Sequence, residues 1–318
     1  MQEKLIREFR TRLSLYGHLE GEVIFILKQK LAKTDIKYHS ITSRVKELDS
    51  FLDKAARKEL NNPLEEIHDI VGVRIVCLFL SDIERIGSLI REAFSVVSED
   101  NKVEGADVSS FGYMSVHFVV SMKQTYSGPR YDSIAKLVFE IQVRTIAMDA
   151  WANVSHHLNY KNDKDVPSEL RRDFYALSGL FYVADKHFEM FYGASTQSKR
   201  QMSELFEVAT SDTKANQEIN LDSLSAYLQS TFPNRVHLDT KTVSILVSDL
   251  KEAGYETIGE IDRLVEQTKE AFQVYEDEIS STSKGRPFKF ADVGVVRVST
   301  EIATGKIRAR GSRRKNTR

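Results

Sequence analysis

The chain has a single cysteine, Cys77, among its 318 residues. A disulfide within the chain is therefore excluded, and so is a zinc site built on cysteine pairs. No apolar run is long enough to span a bilayer, and the opening Met1-Gln2-Glu3-Lys4-Leu5 lacks the apolar stretch of a signal peptide. The chain is expected in the cytoplasm, away from membranes. Net charge is also scarce: a formal −1 argues against attraction of nucleic acid to the whole surface. A G-x-S-x-G elbow is missing, which weakens a serine-hydrolase reading. What remains is an ordinary globular composition, 41% apolar and 29% charged, long enough for one sizeable domain and a smaller one.

The near-neutral total hides an asymmetry. Lys306, Arg308, Arg310, Arg313, Arg314, Lys315 and Arg318 crowd a final segment without acids. Residues 300–318 read as a basic, disordered tail, with contact to RNA phosphates as the alternative. At the other end, residues 1–34 show the apolar stripe of a long helix. An extended segment follows over 36–46, then a short helix with Leu52, Ala55 and Ala56 inward. Residues 70–79 (IVGVRIVCLF) read as a buried central strand, and Asp82 as the cap of the next helix, which reaches Phe94. Residues 101–111 read as loop, 113–122 and 135–145 as strands, and 146–160 and 167–192 as helices. A boundary is expected near 195–200. Beyond it lies a smaller helical region over 200–290 with capping signals at Asp222, Asp239 and Thr257, and a strand over 293–298. Leu224, Leu228, Val243, Leu246 and Leu250 fit either a small core or an oligomer surface. The main domain, 35–195, is mixed α/β with one sheet of four or five strands and helices packed on it.

The chemistry concentrates in four places. In Phe139-Glu140-Ile141-Gln142-Val143-Arg144 the apolar residues alternate with an acid, an amide and a guanidinium, about 6.6 Å apart on one strand face. Such a face covers a core poorly and suits phosphates and a metal. Arg44 and Lys46 end a strand, and Ser50, Lys54, Arg57 and Lys58 sit on the following helix. A solvated basic face would look similar, but the convergence on the helix start favours phosphate. Asp69 precedes the central strand, and Arg74 interrupts it, which requires a partner or a cleft for its head group. Asp69 and Glu140 could supply two oxygen ligands to Mg²⁺ beside substrate phosphates. Gly112-Tyr113-Met114-Ser115-Val116-His117 puts Tyr113, Ser115 and His117 on one strand face, where the tyrosine could stack on a base.

These motifs, in this order, resemble the RelA/SpoT alarmone synthetase domain over roughly residues 35–165. Residues 147–161 look similar to the small, single-domain members. The resemblance implies a nucleotidyltransferase-like α/β (α+β) fold, a mixed sheet flanked by helices, with the helical C-terminal region added. It implies a GTP diphosphokinase that moves pyrophosphate from ATP to the ribose 3′-hydroxyl of GDP or GTP. Arg44 and Arg74 would hold adenine between their planes. Lys46, Ser50, Lys54 and Arg57 or Lys58 would bind the triphosphate. Asp69 and Glu140 would hold Mg²⁺, with Glu140 also as base. Tyr113, Ser115, His117, Gln142 and Arg144 would line the acceptor side. One departure concerns residues 107–111, Asp-Val-Ser-Ser-Phe, where the family usually carries a lysine for the acceptor's phosphates. That keeps two other readings open: a toxin-type member that modifies the 3′ end of tRNA, and a non-catalytic nucleotide-sensing module. The second domain could serve homo-oligomerisation.

Overall fold

The computed structural model describes residues 2–101, 115–158, 166–208, 216–282 and 288–307. The chain separates into two units, Met1–Tyr192 and Gly193–Arg318. In the first, α1 (Gln2–Leu31), β1 (Tyr38–Val45), α2 (Leu48–Arg57), a short α3 (Pro63–Glu66) and β2 (Val71–Cys77) come first. They are followed by α4 (Leu80–Ala93), β3 (Phe94–Asn101), β4 (Val116–Met122), β5 (Val138–Thr145) and α5 (Ile146–His157). Helix α6 spans Ser168–Val208, longer than the helix expected over 167–192.

The strands form one mixed sheet in the order β1-β2-β5-β4-β3. β2 and β5 run parallel and the other pairs antiparallel. Residues of β4 and β5 alternate strictly between buried and half-buried, so the sheet has one apolar and one polar face. α1 lies on β1 and β2, and α4 on β2, β3 and β5. Phe9, Leu19, Val23 and Leu27 of α1 and Ile86 and Ile90 of α4 close over Val73, Ile75, Phe118, Phe139 and Ile141. Each such side chain contributes about 1.5–3 kcal/mol by leaving water. α4 comes so near the sheet that a β-carbon on Gly87 would stand 3.1 Å from the Phe118 ring.

The second unit contains α7 (Leu221–Thr231), α8 (Thr240–Glu252), α9 (Ile258–Thr282) and α10 (Asp292–Ala303). Leu224, Tyr227, Leu228, Val243, Leu246, Leu250, Ile261 and Val296 are buried together as its own core. Of the residues read as either core or oligomer surface, these leucines and Val243 are core.

Several elements differ from expectation. Residues 293–298 are not a strand but the first turns of α10, where Asp292, Val293, Val295, Val296 and Ser299 share one buried face. A short apolar run fits either period. β3 (Phe94–Asn101) fills the stretch between the helix read as reaching Phe94 and the loop read from 101, to which no element was assigned. It is an edge strand with exposed Val96 and Val97 and an irregularity between Val96 and Ser98, so its alternation is broken. Asp82 does not cap α4: Phe79 precedes the first turn, and the buried Asp82 carboxylate accepts from Arg85 Nη1 at 2.9 Å. Asn220, not Asp222, caps α7 by accepting from the Asp222 and Ser223 amides. Ala56 is exposed, since only Phe51 and Ala55 of α2 are fully buried.

Candidate active site

The register of the sheet brings the polar side chains into two rows. Arg44 is opposite Gly72, and Gly72 opposite Glu140. Thr42 is opposite Arg74, Arg74 opposite Gln142, and Gln142 opposite His117. All of these project from the face that α1 and α4 leave uncovered, because the intervening residues are the apolar ones. A cavity of about 180 Å³ forms there, lined by Thr42, Ser43, Arg44, Asp69, Gly72, Val73, Arg74, Glu140 and Gln142. Arg44 and Asp69 also line a second cleft of about 490 Å³ with Lys46, Ser50, Asp53, Lys54, Arg57 and His156. Two neighbouring concavities therefore share one wall, the first rich in carboxylate and guanidinium, the second in cations.

Hydrogen bonds hold each carboxylate. Lys54 Nζ donates to Asp69 Oδ1 at 2.7 Å, and Lys46 Nζ lies 3.0 Å from Oδ2. Burial alone would raise the Asp69 carboxyl, but the two lysines outweigh it and hold it below its ordinary value. On β5, His117 Nδ1–H donates to Glu140 Oε1 at 2.8 Å, and Gln142 Nε2 donates to Oε2 at 2.7 Å. Burial opposes ionisation here too, yet His117 and Gln142 bring the carboxyl below the usual glutamate range, against a smaller opposing effect of the Asp69 charge. Both acids are thus ionised at neutral pH. An ionised Glu140 can only accept, so Nδ1 of His117 carries the proton; its Nε2 is 2.6 Å from Ser115 Oγ.

At the far end of the row, Arg74 Nη1 donates to Asp149 Oδ1 at 3.0 Å, and Arg144 Nη1 lies 3.7 Å from the same oxygen. Burial, with the like charge of Arg74, pushes Arg144 down to about 10. Asp149 is placed by the start of α5, where Thr145 Oγ1 accepts from the Met148 amide and donates to the buried Asp185. Among the described residues, Arg74 Nε, Arg144 Nε and Gln142 Oε1 are buried and have no hydrogen-bond partner. Leaving such atoms unpaired costs about 1–3 kcal/mol each, an expense that a bound ligand can remove.

The family model described as "Region found in RelA / SpoT proteins" matches residues 43–165. GTP pyrophosphokinase YwaC of Bacillus subtilis (strain 168) is 32% identical over 150 residues, 45% of this chain and 69% of that protein. The chain belongs to the RelA/SpoT family. GTP pyrophosphokinase YjbM of the same organism is 39% identical over 137 residues, 41% of this chain and 61% of that protein. The chain thus spans about three-fifths of the length of YjbM. The crystal structure of small alarmone synthetase 1 from Bacillus subtilis aligns with a TM-score of 0.50 at 28% identity, covering 60% of this chain and 99% of that one.

Within this RelA/SpoT region the structure brings together most residues singled out from the sequence. Arg44, Asp69, Arg74, Glu140 and Gln142 line the first cavity, and Lys46, Ser50, Lys54 and Arg57 the second. Ser115 and His117 join through Glu140, and Arg144 through Asp149. Lys58 is the exception. It is the exposed C-cap of α2, about 100° around the helix from Arg57, and does not line the cleft. Tyr113, Gly112, Tyr160, Lys161 and the cations from Arg308 onward lie outside the described residues. Among the residues given no role from the sequence are Asp149, which joins Arg74 and Arg144, Gly72 in the first cavity, His156 in the second, and Thr145 at the start of α5. A readable signal existed for Thr145, which ends a strand immediately before a helix, the place of an N-cap.

Proposed function

We propose that this chain is a pyrophosphokinase that transfers the β,γ-pyrophosphoryl group of ATP to the ribose 3′-hydroxyl of GDP or GTP, giving (p)ppGpp and AMP. The observation that carries the reading is the shared wall: two ionised carboxylates and two arginines in one cavity, continuous with a cleft of lysines, a serine and an arginine. On this reading Arg44 and Arg74 grip the adenine, and Lys46, Ser50, Lys54 and Arg57 bind the triphosphate. Asp69 and Glu140 are all-oxygen donors, which suits Mg²⁺, a cation that takes few protein ligands beside substrate phosphates. When bound, Mg²⁺ would offset the charge of the phosphates and the developing AMP.

The protein's own groups do the rest. The 3′-oxygen attacks the β-phosphorus, the bond from that phosphorus to the α–β bridging oxygen breaks, and AMP leaves with that oxygen. Glu140 takes the hydroxyl proton, and His117 and Gln142 keep its carboxylate aimed. Tyr113, Ser115, His117, Gln142 and Arg144 receive the acceptor nucleotide. Positioning and charge stabilisation carry most of the acceleration. These substrates fit a cytoplasmic enzyme, and no helix among the described residues is long and apolar enough to cross a membrane. Exposed Leu180, Met190 and Phe191 on α6 fit homo-oligomerisation, which light scattering reads directly.

The test is acceptor competition with γ-labelled ATP and Mg²⁺. Label is expected in GDP and GTP. The acid and missing lysine at 107–111, with the cations of 306–318, favour adding bulk tRNA as a second arm. Label in tRNA alone selects the toxin-type reading, and ATP binding without any transfer selects the sensing module.

A further inference from the structure

One position on the polar face has no side chain. Gly72, the second residue of β2, stands between Arg44 on β1 and Glu140 on β5, and it lines the first cavity. Arg74 follows two residues later on the same strand. Arg44 and Arg74 are therefore diagonal neighbours across an antiparallel pair, with β-carbons roughly 7 Å apart. Arginines rooted that far apart can set their planar guanidinium groups on either side of one aromatic ring, at about 3.5 Å from each.

Nothing in the fold itself asks for glycine here. Its φ lies outside the positive region that favours glycine, and a β-carbon built on it meets no atom of the described residues within 4 Å. The strand around it, VGVRIVC, is rich in β-branched residues, and glycine weakens such a strand. We propose that Gly72 is a specificity-determining residue: its bare backbone is the floor of the slot between Arg44 and Arg74, which admits the flat base of the donor nucleotide. The proposal rests on the pyrophosphokinase reading and deepens it. A side chain at 72 stands where the ring lies, while Lys46, Ser50 and Lys54 keep their hold on phosphates. Recognition of base and of phosphate should therefore separate.

The experiment compares the full chain with Gly72→Ala and Gly72→Val, measuring calorimetric binding of ATP and of inorganic tripolyphosphate, both with Mg²⁺, and thermal unfolding. Gly72→Val should unfold at or above the wild-type temperature and bind tripolyphosphate as the wild type does. Its ATP affinity should fall about thirtyfold, the loss of a desolvated stack on two cations, with Gly72→Ala intermediate. Unchanged ATP affinity in Gly72→Val overturns the slot while leaving the pyrophosphokinase reading intact. A lowered unfolding temperature in both variants overturns it by making the glycine structural. Failure of the wild type to bind ATP removes the pyrophosphokinase reading, and the slot with it.

Discussion

Glu140 meets three demands at once: it sits on a sheet face beside the cavity, is partly withdrawn from water, and stays ionised through His117 and Gln142. Replacing it with Gln preserves shape and removes the base, so transfer should fall by about 10²–10⁴-fold. Circular dichroism should show an unchanged fold; full activity in the variant contradicts the role. The same residue has a pH signature. Its folded carboxyl lies below the ordinary 4.5, so the stability it adds is full above that value and fades as pH falls through the depressed one. The unfolding free-energy difference between wild type and Glu140→Gln should therefore shrink on acidification below pH 4.5; a growing difference contradicts the pairing.

Asp149 gives a second test at this scale. Its carboxylate stands between Arg74 and Arg144, and Asp149→Asn leaves the two guanidinium groups facing each other with less to hold them. ATP affinity should drop about tenfold, the worth of one hydrogen bond to a charged group. Unaltered binding would mean Arg74 is positioned without it. Sequence reasoning saw that Arg74 needed a partner or a cleft, and the structure supplies both. It could not name Asp149, because that pairing joins residues 75 positions apart through the start of α5.

Among elements, legibility followed periodicity. β2, β4 and β5 announced themselves by unbroken or strictly alternating apolar residues, and these carry or flank most of the candidate site. β3 did not, since an irregular edge strand with exposed valines lacks the pattern that burial imposes. α10 was misread because its valines satisfy both periods over so few residues. Lys58 was placed with Ser50, Lys54 and Arg57 on one helix face by their spacing, but it is the C-cap of α2 and does not line the cleft. The contact of α4 with the sheet was also invisible, being a match of shapes. It predicts that Gly87→Val, which drives methyl groups into the Phe118 ring, costs about 1–3 kcal/mol in chemical denaturation. A neutral or stabilising result would show that the helix can move off the sheet.

For the whole molecule, two units with separate cores should unfold as two calorimetric transitions rather than one. ATP should raise only the transition of Met1–Tyr192, by about 2.7 kcal/mol of stabilisation at a hundredfold excess over its dissociation constant. A single transition, or a shift of both, contradicts that assignment. The composition could bound this organisation, two domains in 318 residues, but not what Gly193–Arg318 contributes to the reaction.

The most direct measurement is phosphorus NMR of the complete reaction with ATP, GDP and Mg²⁺. The account predicts AMP and a guanosine nucleotide bearing a new 3′-diphosphate, formed in equal amounts. ADP as the donor product, or AMP accompanied only by free pyrophosphate, would contradict it.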